Sequence, residues 1–188
     1  MSRAPTVREE APQDVDRVRE VVAAAFGGEK VAGLLDGLRE SVAWLGLSFV
    51  AEEREEVVAA LCYSRAWLDT PRRLVEVLVL SPLAVRPDRQ RVGIGSALVR
   101  ESLQRIGSRP EPLVFLEGDP GYYTRLGFVA AVDLHFTAPS VRIPRLAFQV
   151  ATLPGFDQSW MSGALVYPDV FWRHDCVGLR PEMGAGLP

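Results

Sequence analysis

A chain of 188 residues, 48% hydrophobic and 24% charged, has the composition of a globular protein with one compact core, and it lacks the length for two ordinary domains. No apolar run approaches the length of a membrane helix and the polar opening "MSRAPTVREEAPQD" does not resemble a secretion signal, so no membrane role and a cytoplasmic location are expected. The formal charge of −3 argues against general nucleic-acid binding, and Cys62 and Cys176, far apart and without ligand spacing, suggest neither a disulfide nor a metal site.

The first periodic segment, "QDVDRVREVVAAAFGG", sets Val15, Val18, Val22, Ala25 and Phe26 on one helical face, with Gly27 as a left-handed stop. "KVAGLLDGLRE" repeats the pattern through Val31, Leu34, Leu35 and Leu38, although Gly33 and Gly37 each weaken it by roughly 1 kcal/mol relative to alanine. The period then changes. "LSFVAEE" and "EVVAALCYSRAW" are β-rich runs around a short charged turn, the signature of a hairpin. "RLVEVLVLSPLAV" is a third, almost wholly apolar strand of the kind buried on both faces. Pro82 cannot donate to a ladder, so a bulge or a loss of pairing is expected near Ser81 and Pro82.

"IGSALVRESLQRIG" follows as a helix with Leu98, Val99, Ser102, Leu103 and Ile106 in one stripe, ended by Gly107 and Pro110. "PLVFLEG" is the next strand, so strand, helix and strand form a right-handed parallel crossover in a mixed α/β fold. "GYYTRLGFVAA" reads as a short helix entering a strand, and the tail holds two further strands, "RLAFQVATL" and "GALVYPDVFW". No linker or repeat divides the series, which predicts one domain over 1–188, with a core over about 6–132 and tail strands over about 133–175.

The chemistry concentrates in "LAVRPDRQRVGIGSALV". Glycines at a helix start directly after a strand let backbone N–H groups approach an anion that the helix N-terminus also favours, and phosphate is the obvious guest. Two standard phosphate loops fail: GxGxxG needs a third glycine where Leu98 stands, and the GK[ST] of the P-loop occurs nowhere. What remains is QxxGxG, formed by Gln90, Gly93 and Gly95 and preceded by Leu83, Val85 and Pro87. This string resembles the coenzyme-A diphosphate loop of the GNAT superfamily of acetyl-CoA-dependent N-acyltransferases. "YYTRLGF", in which Tyr123 precedes Gly127 and Phe128, resembles a second segment of that superfamily. "AAAFGGEKVAGLLDGLR", "SFVAEEREEVVAAL", "EGDPGYYTRLGF" and "GALVYPD" look like its small bacterial YhbS-like branch, over about Val7 to Phe171.

The resemblance implies a mixed sheet, flanked by helices, whose central parallel strands splay at a bulge in the fourth strand. Acetyl-CoA would lie in that opening, with the pantetheine amides on the backbone of Leu83, Ala84 and Val85. Its diphosphate would rest on Gln90 and on the amides of Arg91, Val92, Gly93, Ile94, Gly95 and Ser96. Arg86, Arg89 and Arg91 form a positive run that is equally a solvated turn when each is taken singly. The implied reaction is acetyl transfer to a primary amine of a small molecule or protein, with Tyr123 as general acid toward the leaving thiolate. Tyr122 is expected to pack or to face substrate.

The base is open. Glu76 lies on the strand where some GNAT enzymes carry a catalytic glutamate, but a bulge near Pro82 reverses the facing of everything before it. Glu117 and Asp119 compete for the role, and each is also a natural cap or turn residue. Where the family commonly has an asparagine, this chain has Gly118 and Asp119. His135 and His174 stand apart and form no metal set, and the four tryptophans read as core. Beside the enzyme stands the reading of a catalytically inactive acyl-CoA-binding sensor or interaction module, and a nucleotide binder of another fold is weakened by the failed loops. Tail strands of this superfamily often pair between subunits, which makes a homodimer an expectation of the resemblance.

Overall fold

The computed structural model describes residues 5–179. β1 (Thr6–Glu9) leads into α1 (Val15–Phe26) and α2 (Glu29–Arg39), then β2 (Trp44–Glu53), β3 (Glu56–Asp69) and β4 (Leu74–Val85). α3 (Ile94–Ile106), β5 (Leu113–Glu117), the short α4 (Pro120–Tyr123) and β6 (Val129–Ala130) follow, then β7 (Phe136–Thr137), β8 (Phe148–Thr152), β9 (Gly163–Val166) and α5 (Asp169–Arg173). The strands form one sheet in the order β1-β2-β3-β4-β5-β8-β6, with β9 pairing β3 and β7. All neighbours are antiparallel except β4 with β5 and β7 with β9. No helix among the described residues is long and apolar enough to cross a membrane.

Alternation along the strands builds two apolar layers. Val50, Ala60, Cys62, Val77 and Val79 pack with Val18, Leu34, Leu35 and Leu38 of α1 and α2. Phe49, Leu61, Tyr63, Leu78 and Leu80 pack with Ile94, Leu98, Val99 and Ile106 of α3. The β2–β3 hairpin turns on Arg54 and Glu55, both at positive φ, as a two-residue turn matched to strand twist requires. Gly27 caps α1 at φ 69°, the expected left-handed stop.

Two expectations need correcting, and a third gains a reason. Val15 and Phe26, assigned to the core face of the first helix, are 36% and 51% exposed, and Val21 joins Val18 and Val22 as the buried residues. "GALVYPDVFW" is not one strand: β9 ends at Val166, and Val170, Phe171 and Trp172 belong to α5, which begins just after Pro168. Of the glycines of α2, Gly37 is a packing requirement as well as a weakness. A Cβ at Gly37 would lie 2.7 Å from His174 Nε2 and 2.9 Å from Val170 Cγ2, so α5 approaches this closely only because Gly37 lacks one, whereas a Cβ at Gly33 would rest at an ordinary 3.4 Å from His174.

The expected break falls at Pro82. Leu83 pairs with Leu61 but Leu80 pairs with Tyr63, so Ser81 and Pro82 together oppose the single residue Cys62. The extra residue shifts the facing by one: Leu80 and Leu83 both lie on the α3 side and Ala84 on the other. The Ser81–Pro82 peptide is cis. On its other edge β4 pairs β5 at Leu78–Val114 and Val79–Phe115 alone. Beyond Val79 the two central strands part, and that opening positions the site.

Candidate functional site

The loop after β4 is built so that α3 points its N-terminus into the opening. Pro87 starts a 3₁₀ turn over Pro87–Arg89, and Gln90 closes the loop by donating from Nε2 to the Val85 carbonyl at 3.0 Å. Gly93 caps α3 at φ 92°, a left-handed conformation where a side chain would be strained. The first turn of α3 then presents backbone N–H groups that lack intrahelical acceptors, at the positive end of the helix dipole. Gly95 has a different reason. A Cβ there would lie 2.8 Å from the Tyr122 hydroxyl and 3.2 Å from Val85 Cγ2. The close approach that the glycine permits is that of Tyr122, whose hydroxyl also accepts from Ser96 Oγ at 3.3 Å.

A cavity of about 580 Å³ lies over this loop, lined by Leu83, Val85, Gln90, Arg91, Gly93, Ile94, Gly95 and Ser96, with Tyr122 and Arg125 opposite. The sequence reading named all but the last two as cofactor contacts. It also named Ala84, whose side chain is buried in the other layer, so only its backbone is available, and Val92, which is 69% exposed and lines no part of the cavity. Arg86 is committed to Asp88 and Glu56, and Arg89 to Glu53. Among the described residues Arg91 and Arg125 form no ion pair, which leaves them the cations disposed toward an anion in this cavity. Arg125 was missed although it sits inside the tyrosine segment.

A second cavity of about 500 Å³ adjoins the first across Phe26 and Leu83, which line both. Its walls include Val79 to Leu83 along the parted edge of β4, Glu117 at the end of β5, Tyr123, Tyr167 and Phe171. Tyr123 is held firmly. Its ring packs edge-on against Phe128 at 5.6 Å and Tyr122 at 4.9 Å between centroids. Gly127, at φ 91°, turns the chain so that the Phe128 N–H donates to the Tyr123 carbonyl at 3.3 Å, which explains the fixed interval from tyrosine to the Gly-Phe pair. Gly118 completes the seat: a Cβ there would meet the Tyr123 ring, 2.7 Å from Cδ2 and closer to Cε2. Burial, and then the neighbouring Tyr122, push the Tyr123 phenol above its usual pKa, so it stays protonated.

The candidate bases separate. Glu76 shares the α3 side of β4 with Leu78 and pairs with Arg65 at 3.0 Å; it lines neither of these cavities. Asp119 accepts the Gly121 N–H at 2.8 Å as the cap of α4. Glu117 alone of the three lies with Tyr123. Burial raises its carboxyl above the usual range, against which the Gly178 N–H, donated to Oε2 at 3.0 Å, the Tyr167 phenol and Arg142 favour the charged form. Tyr167, buried beside it, is pushed up by that burial and by the Glu117 charge. No cluster of three or more His, Cys, Asp or Glu among the described residues has a metal-holding arrangement.

Comparison with known proteins agrees with this arrangement. The family model of the acetyltransferase (GNAT) domain matches residues 6–131. An Escherichia coli protein described as the uncharacterised N-acetyltransferase YjhQ is 33% identical over 128 residues, 67% of this chain and 71% of that protein. The Escherichia coli GNAT family N-acetyltransferase YhbS, solved in complex with CoA, superposes with a TM-score of 0.81 at 26% identity, over 90% of this chain and 93% of that one. A GNAT family acetyltransferase from Brucella melitensis, solved with acetyl-CoA, gives a TM-score of 0.68 at 30% identity, over 89% and 97% of the two chains.

Proposed function

The chain belongs to the GNAT acetyltransferases, and on that premise we propose that it binds acetyl-CoA in the β4–β5 opening and transfers the acetyl group to a primary amine, with Tyr123 as general acid. One observation carries the reading: pairing between the parallel strands stops at Val79–Phe115, and two cavities run on from there, one over the α3 N-terminus and one containing Tyr123. The residues fit the cosubstrate. Beyond the last β5 pair, the edge of β4 at Leu83 and Val85 offers backbone groups to an amide-bearing arm, the Val85 carbonyl being the one that Gln90 also reaches. The α3 N-terminus with Arg91 and Arg125 suits a diphosphate.

Acetyl-CoA supplies a thioester carbonyl and a thiol leaving group, and the chain supplies the rest. A backbone N–H on the opened edge of β4 stabilises charge on the carbonyl oxygen, by about 3 kcal/mol if it acts as other single oxyanion donors do. The phenol of Tyr123 donates to the departing sulfur. Its raised pKa does not forbid this, because burial acts on a thiolate in the same direction; in this fold it pushes the Cys62 thiol up to about 12. Holding amine and thioester in adjoining cavities supplies the remainder through proximity. The reading extends to one catalytic unit over the whole chain, a cytoplasmic location and a homodimer, the last checked by light scattering.

The test has two arms. Acetyl-CoA at about a hundred times its Kd should stabilise the fold by roughly 2.7 kcal/mol in a thermal-shift titration, and a panel of amines should release free coenzyme-A thiol. No shift at millimolar acetyl-CoA would refute the reading. A shift without thiol release from any amine would favour an inactive acyl-CoA-binding module.

A further inference from the structure

We propose that Glu117 receives the proton of the acetyl acceptor, and that the cavity over it takes a small, mainly apolar primary amine entering as its ammonium ion. The inference rests on the acetyltransferase reading and deepens it on the acceptor side.

Position comes first. Glu117 ends β5 where β4 has already parted from it, and its carboxylate shares the second cavity with Tyr123, the parted edge of β4 and Leu83. Oε2 is fixed by the Gly178 N–H at 3.0 Å, and Tyr167 acts on the carboxylate from beyond β9. A carboxylate fixed in this way, in the same cavity as Tyr123, is placed to take a proton from an amine bound between them.

Charge and shape then select the acceptor. Three charged residues line the cavity, Lys30, Glu117 and Asp175. Lys30 pairs with Asp175 at 3.5 Å and Arg142, behind the lining, reaches the same carboxylate at 3.7 Å, so among the described lining residues Glu117 is the carboxylate that makes no ion pair. The ionisable groups around that carboxylate are Tyr123, Tyr167, Cys176, Lys30, Asp175 and Arg142, the last acting from behind the lining. The walls are apolar: Tyr167 and Phe171 stack at 4.8 Å and 26°, Val31 and Leu34 stand beside them, and Phe26 lies at the junction with the first cavity. Apolar walls with a single carboxylate that makes no ion pair among the described residues suit a cation with an apolar body. An acidic acceptor would meet the Glu117 carboxylate, and among the described lining residues there is no unpaired lysine or arginine to receive its own.

The step balances. The ammonium gives one proton to Glu117, and the freed lone pair forms the C–N bond to the thioester carbonyl carbon. The C–S bond breaks with its electron pair on sulfur, which takes the Tyr123 proton. The surplus proton on nitrogen restores Tyr123, and the proton on Glu117 passes to solvent, leaving acetamide, thiol and one released proton. Burial holds the Glu117 carboxyl above its usual pKa, which narrows its gap to the ammonium.

The experiment compares the wild type with Glu117→Gln on phenethylamine, hexylamine and aspartate, reading thiol release from pH 6 to about pH 10, near the alkylamine pKa of ~10.4, beside acetyl-CoA thermal-shift titrations of both proteins. The expected result is turnover of the two apolar amines well above aspartate and an unchanged acetyl-CoA shift in the variant. Its kcat/KM should fall about a hundredfold at pH 7 and recover toward the wild type as the amine becomes neutral. A purely structural role would not restore activity with pH. A variant that keeps the wild-type rate, a loss independent of pH, or a preference for aspartate would overturn the inference. So would a wild type that binds acetyl-CoA and acetylates neither apolar amine, whereas failure to bind acetyl-CoA would strike the acetyltransferase reading itself. If Glu117→Gln does not fold, Glu117→Asp keeps the test: a reduced rate with the wild-type pH profile supports the inference, and an unreduced rate overturns it.

Discussion

Gly118 is the seat of Tyr123, and Gly118→Ala perturbs that tyrosine while leaving its own side chain intact. The added Cβ would lie 2.7 Å from Cδ2 of the ring and closer to Cε2, where carbon atoms rest at about 3.5 Å or more. Leu116 Cδ1, at 3.2 Å, is a second close neighbour of the new methyl group. The ring therefore has to move by roughly 1 Å against Phe128 and Tyr122, at an overpacking cost of about 1–3 kcal/mol in stability. A misplacement of that size at a reacting group costs about a hundredfold in rate. The assay is kcat by thiol release beside a thermal-shift titration with acetyl-CoA, whose proposed diphosphate contacts lie on a different loop. Turnover should fall about a hundredfold while acetyl-CoA affinity stays within about twofold, and Gly118→Ala added to Tyr123→Phe should cost little more than Tyr123→Phe alone. Unchanged kcat, or full additivity in the double variant, would refute the reasoning.

Other consequences follow from the same contacts. Gly95→Ala would place a Cβ 2.8 Å from the Tyr122 hydroxyl, so acetyl-CoA affinity in a thermal-shift titration should fall about tenfold with a loss of about 1–2 kcal/mol in urea unfolding. Arg125→Ala removes an unpaired cation of the first cavity, and the KM for acetyl-CoA should rise about tenfold, the worth of one charge-assisted hydrogen bond, in steady-state kinetics. Asp14 accepts from Arg8 Nη1 at 2.5 Å and from the Ala11 N–H at 2.8 Å, and chiefly the Arg8 bond holds its carboxyl below the usual range. A lowered folded pKa means stability present above the unfolded value near ~3.9 and lost as pH falls through the folded one. Asp14→Asn should therefore cost about 2 kcal/mol at neutral pH in urea titrations, and its deficit should shrink below about pH 4 as the wild type is protonated.

The sequence made some of this legible because certain residues report their own geometry. Pro82 announces a failed ladder wherever it stands in a strand, and the pairing fails there. The interval from Tyr123 to Gly127 and Phe128 encodes a turn that brings the two rings together, so it too is local. What stayed hidden depends on contacts distant in sequence. Phe26 satisfies helical periodicity whether it faces a core or a cleft, and it lines the cleft. Gly95 reads as room for phosphate, but Tyr122 is the neighbour that demands it. Val170 and Phe171 carry strand propensity that α2 overrides by offering a glycine-lined face. Glu76, Glu117 and Asp119 are alike on paper; a bulge and a cap separate them in space.

The central claim is that acetyl-CoA occupies the gap between β4 and β5. Amide hydrogen exchange with and without acetyl-CoA locates the ligand directly. Slowed exchange is expected at residues 83–85 on the parted edge of β4 and at residues 93–96 at the start of α3, with residues 8 and 9 on the distant β1 unchanged. Protection absent from both segments while acetyl-CoA is bound would contradict it.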